Sequence, residues 1–139
     1  MQIAPYLFYQ SDAAEAFDFY AKCLDGKIVM KVKIGEMPDG GNATPESRDL
    51  IAHVRLQTRG GVLMGSDWCT PTGDAYPGIH GNAVSISVET PEEAERCFSA
   101  LAEGGKVTMP MAETSWARCF GMLVDAYGVT WMVNCEKKN

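Results

Sequence analysis

The 139-residue chain has no basic run or stripe: 12 Lys and Arg stand against 18 Asp and Glu, and the only adjacent basic pair is Lys137–Lys138. A formal charge of −6 argues against any role whose affinity comes from neutralising phosphates, so nucleic acid is a poor partner. No apolar run approaches a membrane span, and no basic segment followed by a hydrophobic stretch opens the chain, so no membrane role and a cytoplasmic location are expected. Histidine is scarce: His53 and His80 are the only two, and neither belongs to an H-x-x-x-H or H-E-x-x-H pair. The five cysteines, Cys23, Cys69, Cys97, Cys119 and Cys135, form no C-x-x-C pair, and their odd number fits reduced thiols better than a disulfide framework or a zinc site.

What is present is a repeat. Phe19, Gly26, Lys27, Ile28 and Met30 fall at one constant offset on Phe98, Gly105, Lys106, Val107 and Met109. Each copy opens on a helix-capping pattern, Asp12 with Glu15 and Thr90-Pro91 with Glu93, and each ends in a strand. Two copies are too few for a solenoid, so a single α+β domain of two modules is expected: residues 1–67, a linker at 68–81, and residues 82–139.

Hydrophobic periodicity places a strand at 3–9, a helix at 12–24, a strand at 27–34, a Gly/Pro-rich loop at 36–49, and a hairpin of strands 50–58 and 62–67. After the loop 69–81 the order begins again: strand 82–89, helix 91–103, strand 105–109, loop 110–116, strand 117–124, turn 125–128, strand 129–135. Each half reads βαβββ, with sheets facing each other and helices outside. Ala52, Val54 and Leu56 form a row that should meet a helix, with Ile51, His53, Arg55 and Gln57 on the other face. Val84, Ile86 and Val88 likewise oppose Ser85 and Ser87, and Val129, Trp131 and Val133 oppose Thr130, Met132 and Asn134. Tyr6 and Phe8 are expected under a helix.

Polar faces that curve together would enclose a small-molecule pocket; polar faces that merely meet solvent are the alternative. His53 with Arg55 fits an anion-reading pair, an acid–base group or a structural histidine. Asp67 fits a ligand-orienting group, a base or an ordinary turn residue. Trp68 and Trp116 flank loops, where an indole can stack on a ligand or pack an interface. Ser85, Ser87, Thr130 and Asn134 offer uncharged hydrogen bonds, and Cys69 is the thiol to test for reactivity.

Phe17-Asp18-Phe19-Tyr20, Asp125-Ala126-Tyr127-Gly128 and the repeated order resemble the vicinal-oxygen-chelate superfamily of glyoxalase I and bleomycin-resistance proteins. Pro5-Tyr6-Leu7, Ile51-Ala52-His53, Leu63-Met64-Gly65-Ser66-Asp67, Trp116, Phe120-Gly121 and Gly128-Val129-Thr130-Trp131 resemble its PhnB-like branch, sometimes labelled 3-demethylubiquinone methyltransferase. The resemblance implies paired βαβββ modules, a concave ligand cavity and a homodimer. Metal enzymes of the superfamily place His or carboxylate ligands on the first and fourth strands and their equivalents. Here those positions fall on Pro5, Leu63 or Gly65, Ala83 and Met132, none of which binds a divalent cation in that manner, and Met132 is expected to line the cavity. The turn Gln10-Ser11-Asp12 lacks the glycines of a common S-adenosylmethionine site.

The expectation is a homodimer that binds a small organic ligand with no metal and no cofactor, through His53, Arg55, Asp67, Trp68, Ser85, Ser87, Trp116, Thr130, Met132 and Asn134. The alternatives are a metal-independent isomerase or lyase using His53 or Asp67, and a metalloenzyme recruiting His53, Asp67 and Glu113 or Glu36.

Overall fold

Apolar side chains at helical spacing create two amphipathic helices. In α1 (Ala13–Cys23) the buried set is Ala13, Ala16, Phe17, Tyr20 and Cys23; in α2 (Pro91–Ala102) it is Ala94, Cys97, Phe98 and Leu101. The computed structural model describes residues 1–38, 43–69 and 73–138, and it sets each helix against its own four-stranded sheet. The expected loops therefore lie outside the described residues at 39–42 and 70–72.

In the first sheet β1 (Tyr6–Tyr9), β2 (Lys27–Lys33), β3 (Ile51–Thr58) and β4 (Gly61–Asp67) lie in the order β1-β4-β3-β2. In the second, β5 (Val84–Val88), β6 (Lys106–Ala112), β7 (Ala117–Val124) and β8 (Thr130–Glu136) lie in the order β5-β8-β7-β6. β1 with β4 and β5 with β8 are parallel; the remaining pairs are antiparallel. By internal packing the chain divides into Met1–Gly78 and Ile79–Asn139, each holding one βαβββ set.

The repeat extends to irregularities. One extra residue bulges from β2 between Ile28 and Met30, and another from β6 between Val107 and Met109, at the same offset as the sequence repeat. In the helices the correspondence slips. Phe17, not Phe19, is the buried counterpart of Phe98, and Phe19 is only half-buried.

Four expectations are corrected. β1 turns Leu7 and Tyr9 inward, so Tyr6 and Phe8 stand on the helix-free face, 37% and 43% exposed. All four residues of Tyr6-Leu7-Phe8-Tyr9 are apolar or aromatic, so alternation cannot choose a face; the parallel register that sets Leu7 opposite Gly65 does. Ile51 is buried although it was grouped with His53, because a register shift between the Val32–His53 and Lys33–Ile51 pairs changes the alternation. β6 continues through Pro110 to Ala112. As the outer strand of its sheet it can hold a residue without an N–H. Finally, Asp12 makes no side-chain cap; Asp67 from β4 reaches the N-terminus of α1 and accepts from Ala13 N–H at 2.9 Å. Thr90 does cap α2, accepting from Glu93 N–H at 3.2 Å.

Candidate functional site

The helix-free face of the first sheet is built from alternate residues. Register sets Tyr6 beside Met64, Phe8 beside Ser66, Arg55 beside Met64, and Val32 beside His53. Core residues occupy the opposite positions: Val54 and Leu56 are fully buried, and a Cβ on Gly65 would stand 2.8 Å from Phe17 of α1. The result is an aromatic surface on one unit. Tyr6 packs on Phe8 with ring centroids 5.1 Å apart and stacks on His53 at 5.6 Å; Phe8 meets Trp68 edge to face at 5.4 Å. Trp68 in turn meets Tyr76 at 6.2 Å.

Polar atoms fix these rings. The Tyr6 hydroxyl and His53 Nδ1 share a hydrogen bond of 3.0 Å. The Trp68 indole N–H donates to Asp74 C=O at 2.9 Å, and the Tyr76 hydroxyl donates to Phe8 C=O at 2.7 Å. Burial, reinforced by the negative charge of Asp12, pushes the Tyr76 phenol above the usual tyrosine range, which keeps it a donor. Arg55 reaches Gln2 Oε1 at 3.5 Å at the margin of the face. The structure thus brings together His53, Arg55 and Trp68, and adds Tyr6, Phe8 and Tyr76. The first two were misassigned to the other face, and Tyr76 lies in a loop with no periodic signal.

Asp67 is elsewhere. It lies on the α1 side, is buried, and spends one oxygen on Ala13 N–H and the other on Ile51 N–H at 2.8 Å. Cys69 is exposed beyond the end of β4.

In the second unit the helix-free face of β5, β8 and β7 presents Ser85 and Ser87, then Met132 and Asn134, then Met122 and Phe120, as register neighbours. Thr130 stands opposite Val124 on the same side. Ser85 and Ser87 are exposed, Thr130 and Met132 half-buried. Asn134 is only 9% exposed, and its side-chain oxygen has no hydrogen-bond partner. Trp116 is 57% exposed and packs against Phe120 with centroids 5.5 Å apart.

The superfamily that the sequence resembles holds its divalent metal on the first and fourth strands and their equivalents. Leu63 and Gly65 lie on the α1 side, so the fourth strand offers Met64 and Ser66 and the first offers Tyr6 and Phe8. The equivalent strands offer Ser85 and Ser87, and Met132 and Asn134. Thioether, hydroxyl and amide groups do not fit a site that needs imidazole or carboxylate ligands. Among the described residues no three His, Cys, Asp or Glu side chains cluster to hold a cation. His53 and Asp67 occupy opposite faces, Glu36 accepts from Lys33 N–H at 3.1 Å, and Glu113 pairs with Lys137 at 3.0 Å.

Residues 1–134 match the profile of the 3-demethylubiquinone-9 3-methyltransferase family. The chain is 32% identical to protein YjdN of Escherichia coli K12 over 146 aligned positions, covering 99% of this chain and 97% of that one. The crystal structure of PA1353 from Pseudomonas aeruginosa superposes with a TM-score of 0.88 at 41% identity, covering 99% of both chains. A PhnB protein from Bacillus cereus gives 0.75 at 25% identity, covering 97% of this chain and 99% of that one. The fold alone extends to a glyoxylase/bleomycin resistance protein/dioxygenase domain from Frankia, at a TM-score of 0.63 and 16% identity over 98% and 95% of the two chains. The chain belongs to the 3-demethylubiquinone-9 3-methyltransferase, or PhnB-like, family.

Proposed function

We propose that this protein binds a small organic ligand, planar or largely apolar, without the superfamily's usual metal, and works as a cytoplasmic homodimer. The observation that carries the reading is the aromatic surface of exposed Tyr6 and Phe8 and half-buried Trp68 on the helix-free face, with His53 and Arg55 at its edge. A soluble chain usually turns large aromatics inward, and rings left at a surface with their polar atoms already bonded suit stacking more than charge recognition. Ser85, Ser87, Thr130, Met132, Asn134 and Trp116 give the second unit a separate face of its own, suited to uncharged contacts. Exposed Met30 of β2 and Met109 of β6 give apolar surface for self-association.

The methyl transfer in the family's description is not part of this reading. The β1–α1 turn, Gln10-Ser11-Asp12, has no glycine, and each sheet holds only one parallel pair.

The test is a panel of planar aromatic and aliphatic fragments added to protein with 13C-labelled methionine methyls and 19F-labelled tryptophan. Planar fragments should shift Met64 and Trp68, and Phe8→Ala should weaken them about tenfold, the loss of roughly 1.4 kcal/mol of stacking. Fragments that perturb neither residue would overturn the reading.

The Tyr6–His53 hydrogen bond favours one alternative, a metal-independent isomerase or lyase that moves a proton between substrate and imidazole with the phenol as relay. Asp67 has no part in it, since both its oxygens are engaged by backbone N–H groups. Turnover of a bound ligand, abolished by His53→Gln, would establish this second reading.

A further inference from the structure

Cys119 of β7 and Cys135 of β8 are register partners on neighbouring antiparallel strands. Directly opposed residues in such a pair have Cα atoms about 4.5–5.5 Å apart, inside the range of about 4.4–6.8 Å that a disulfide spans. Their side chains leave the sheet on the same side, close enough that Cys135 helps to push the Cys119 thiol up. Access differs: Cys135 is fully buried, whereas Cys119 is half-exposed. Arg118, the residue at the register shift beside Cys119, turns its guanidinium onto the same pair. It donates to Cys135 Sγ at 3.2 Å and to Glu89 C=O at 2.6 Å, and its Nε is buried without a partner.

We propose that Cys119 and Cys135 form a redox-active dithiol, oxidised to a cross-strand disulfide by low-molecular-weight disulfides. The half-exposed Cys119 loses its proton to water and attacks one sulfur of the external disulfide. A mixed disulfide forms, and the first external thiolate leaves and takes up a proton. Cys135 then loses its proton and attacks the Cys119 sulfur, with the Arg118 guanidinium against the negative charge that develops. The cross-strand bond forms as the second external thiolate departs and is protonated. Two protein thiols lose two electrons, and one disulfide becomes two thiols. Burial first, then the proximity of Cys135, raises the Cys119 thiol above its ordinary range, so the first step is slow near neutrality.

Trypsin provides a direct readout, because residues 119–137 contain both cysteines, no other cysteine and no internal Lys or Arg. The folded protein is incubated with oxidised glutathione, alkylated and digested. The expected 119–137 peptide is unalkylated and two hydrogens lighter than its dithiol form, while exposed Cys69 carries glutathione. In Cys135→Ser the glutathione should remain on Cys119. In Arg118→Gln, whose circular dichroism should match that of the parent and whose tryptic peptide is 107–137 with the same two cysteines, the same mixed disulfide should accumulate before closing; this assigns Arg118 a positioning role. A 119–137 peptide alkylated at both cysteines while Cys69 is glutathionylated would overturn the proposal. So would a disulfide that forms only in urea.

Discussion

Two buried carboxylates set the local architecture. Asp125 accepts from the Tyr127 and Val129 N–H groups at 2.8 and 3.0 Å through one oxygen and from the Trp131 indole at 2.8 Å through the other. That bonding is why Asp125-Ala126-Tyr127-Gly128 forms a tight turn ahead of β8, with Gly128 at φ +93°. Asp125→Asn replaces one acceptor oxygen by an amide donor facing another donor. A loss of about 2–3 kcal/mol is expected from the urea midpoint at unchanged slope; an unchanged midpoint would refute the assignment. Tyr76 gives a second prediction at this scale. Its pKa is raised in the folded state by burial and then by Asp12, so its contribution to stability is complete below the unfolded tyrosine pKa and is lost as pH rises through the higher folded value. Absorbance titration should show a phenol ionising above the ordinary tyrosine range, absent in Tyr76→Phe.

Elements were legible to different depths. Helix periodicity and the hairpin between β3 and β4 follow from side-chain spacing and from Arg59-Gly60-Gly61, and the strand order repeats as the duplicated pattern requires. Faces were less legible. Along Val84–Val88 apolar and hydroxyl residues alternate strictly, and the burial follows them. In β1 every residue is apolar or aromatic, so the choice rests on tertiary contacts, and the aromatic face of the candidate site was hidden with it. Caps show the same limit: Thr90 acts locally, whereas Asp67 reaches α1 from 54 residues away in sequence. Thr90→Ala should cost about 1 kcal/mol in thermal or urea unfolding. Gly65→Ala should cost about 1–3 kcal/mol, because its Cβ would lie 2.6 Å from Leu7 C=O and 2.8 Å from Phe17, leaving no room without moving β1 or α1. Unfolding equal to the parent would mean that α1 is not seated on β4 as described.

For the molecule as a whole, duplication yields two similar sheets whose helix-free faces have diverged. One carries rings and a His–Tyr pair; the other carries hydroxyls, thioethers and a buried amide. The scarcity of imidazole was readable from composition, since the chain has two histidines; which positions lack a carboxylate was readable only from the strand alignment. The identity of the ligand was not readable, because the loops around a face set specificity without periodic constraint. If the exposed apolar residues of β2 and β6 serve self-association, sedimentation should give a dimer that Met30→Lys with Met109→Lys converts to monomer.

The central claim, recognition of an organic ligand without a bound divalent ion, is tested most directly by paired native and denaturing mass spectra of protein purified without chelator. The account predicts an organic adduct that is present in the native spectrum, lost on denaturation and depleted in Phe8→Ala. One retained divalent ion per chain would contradict it.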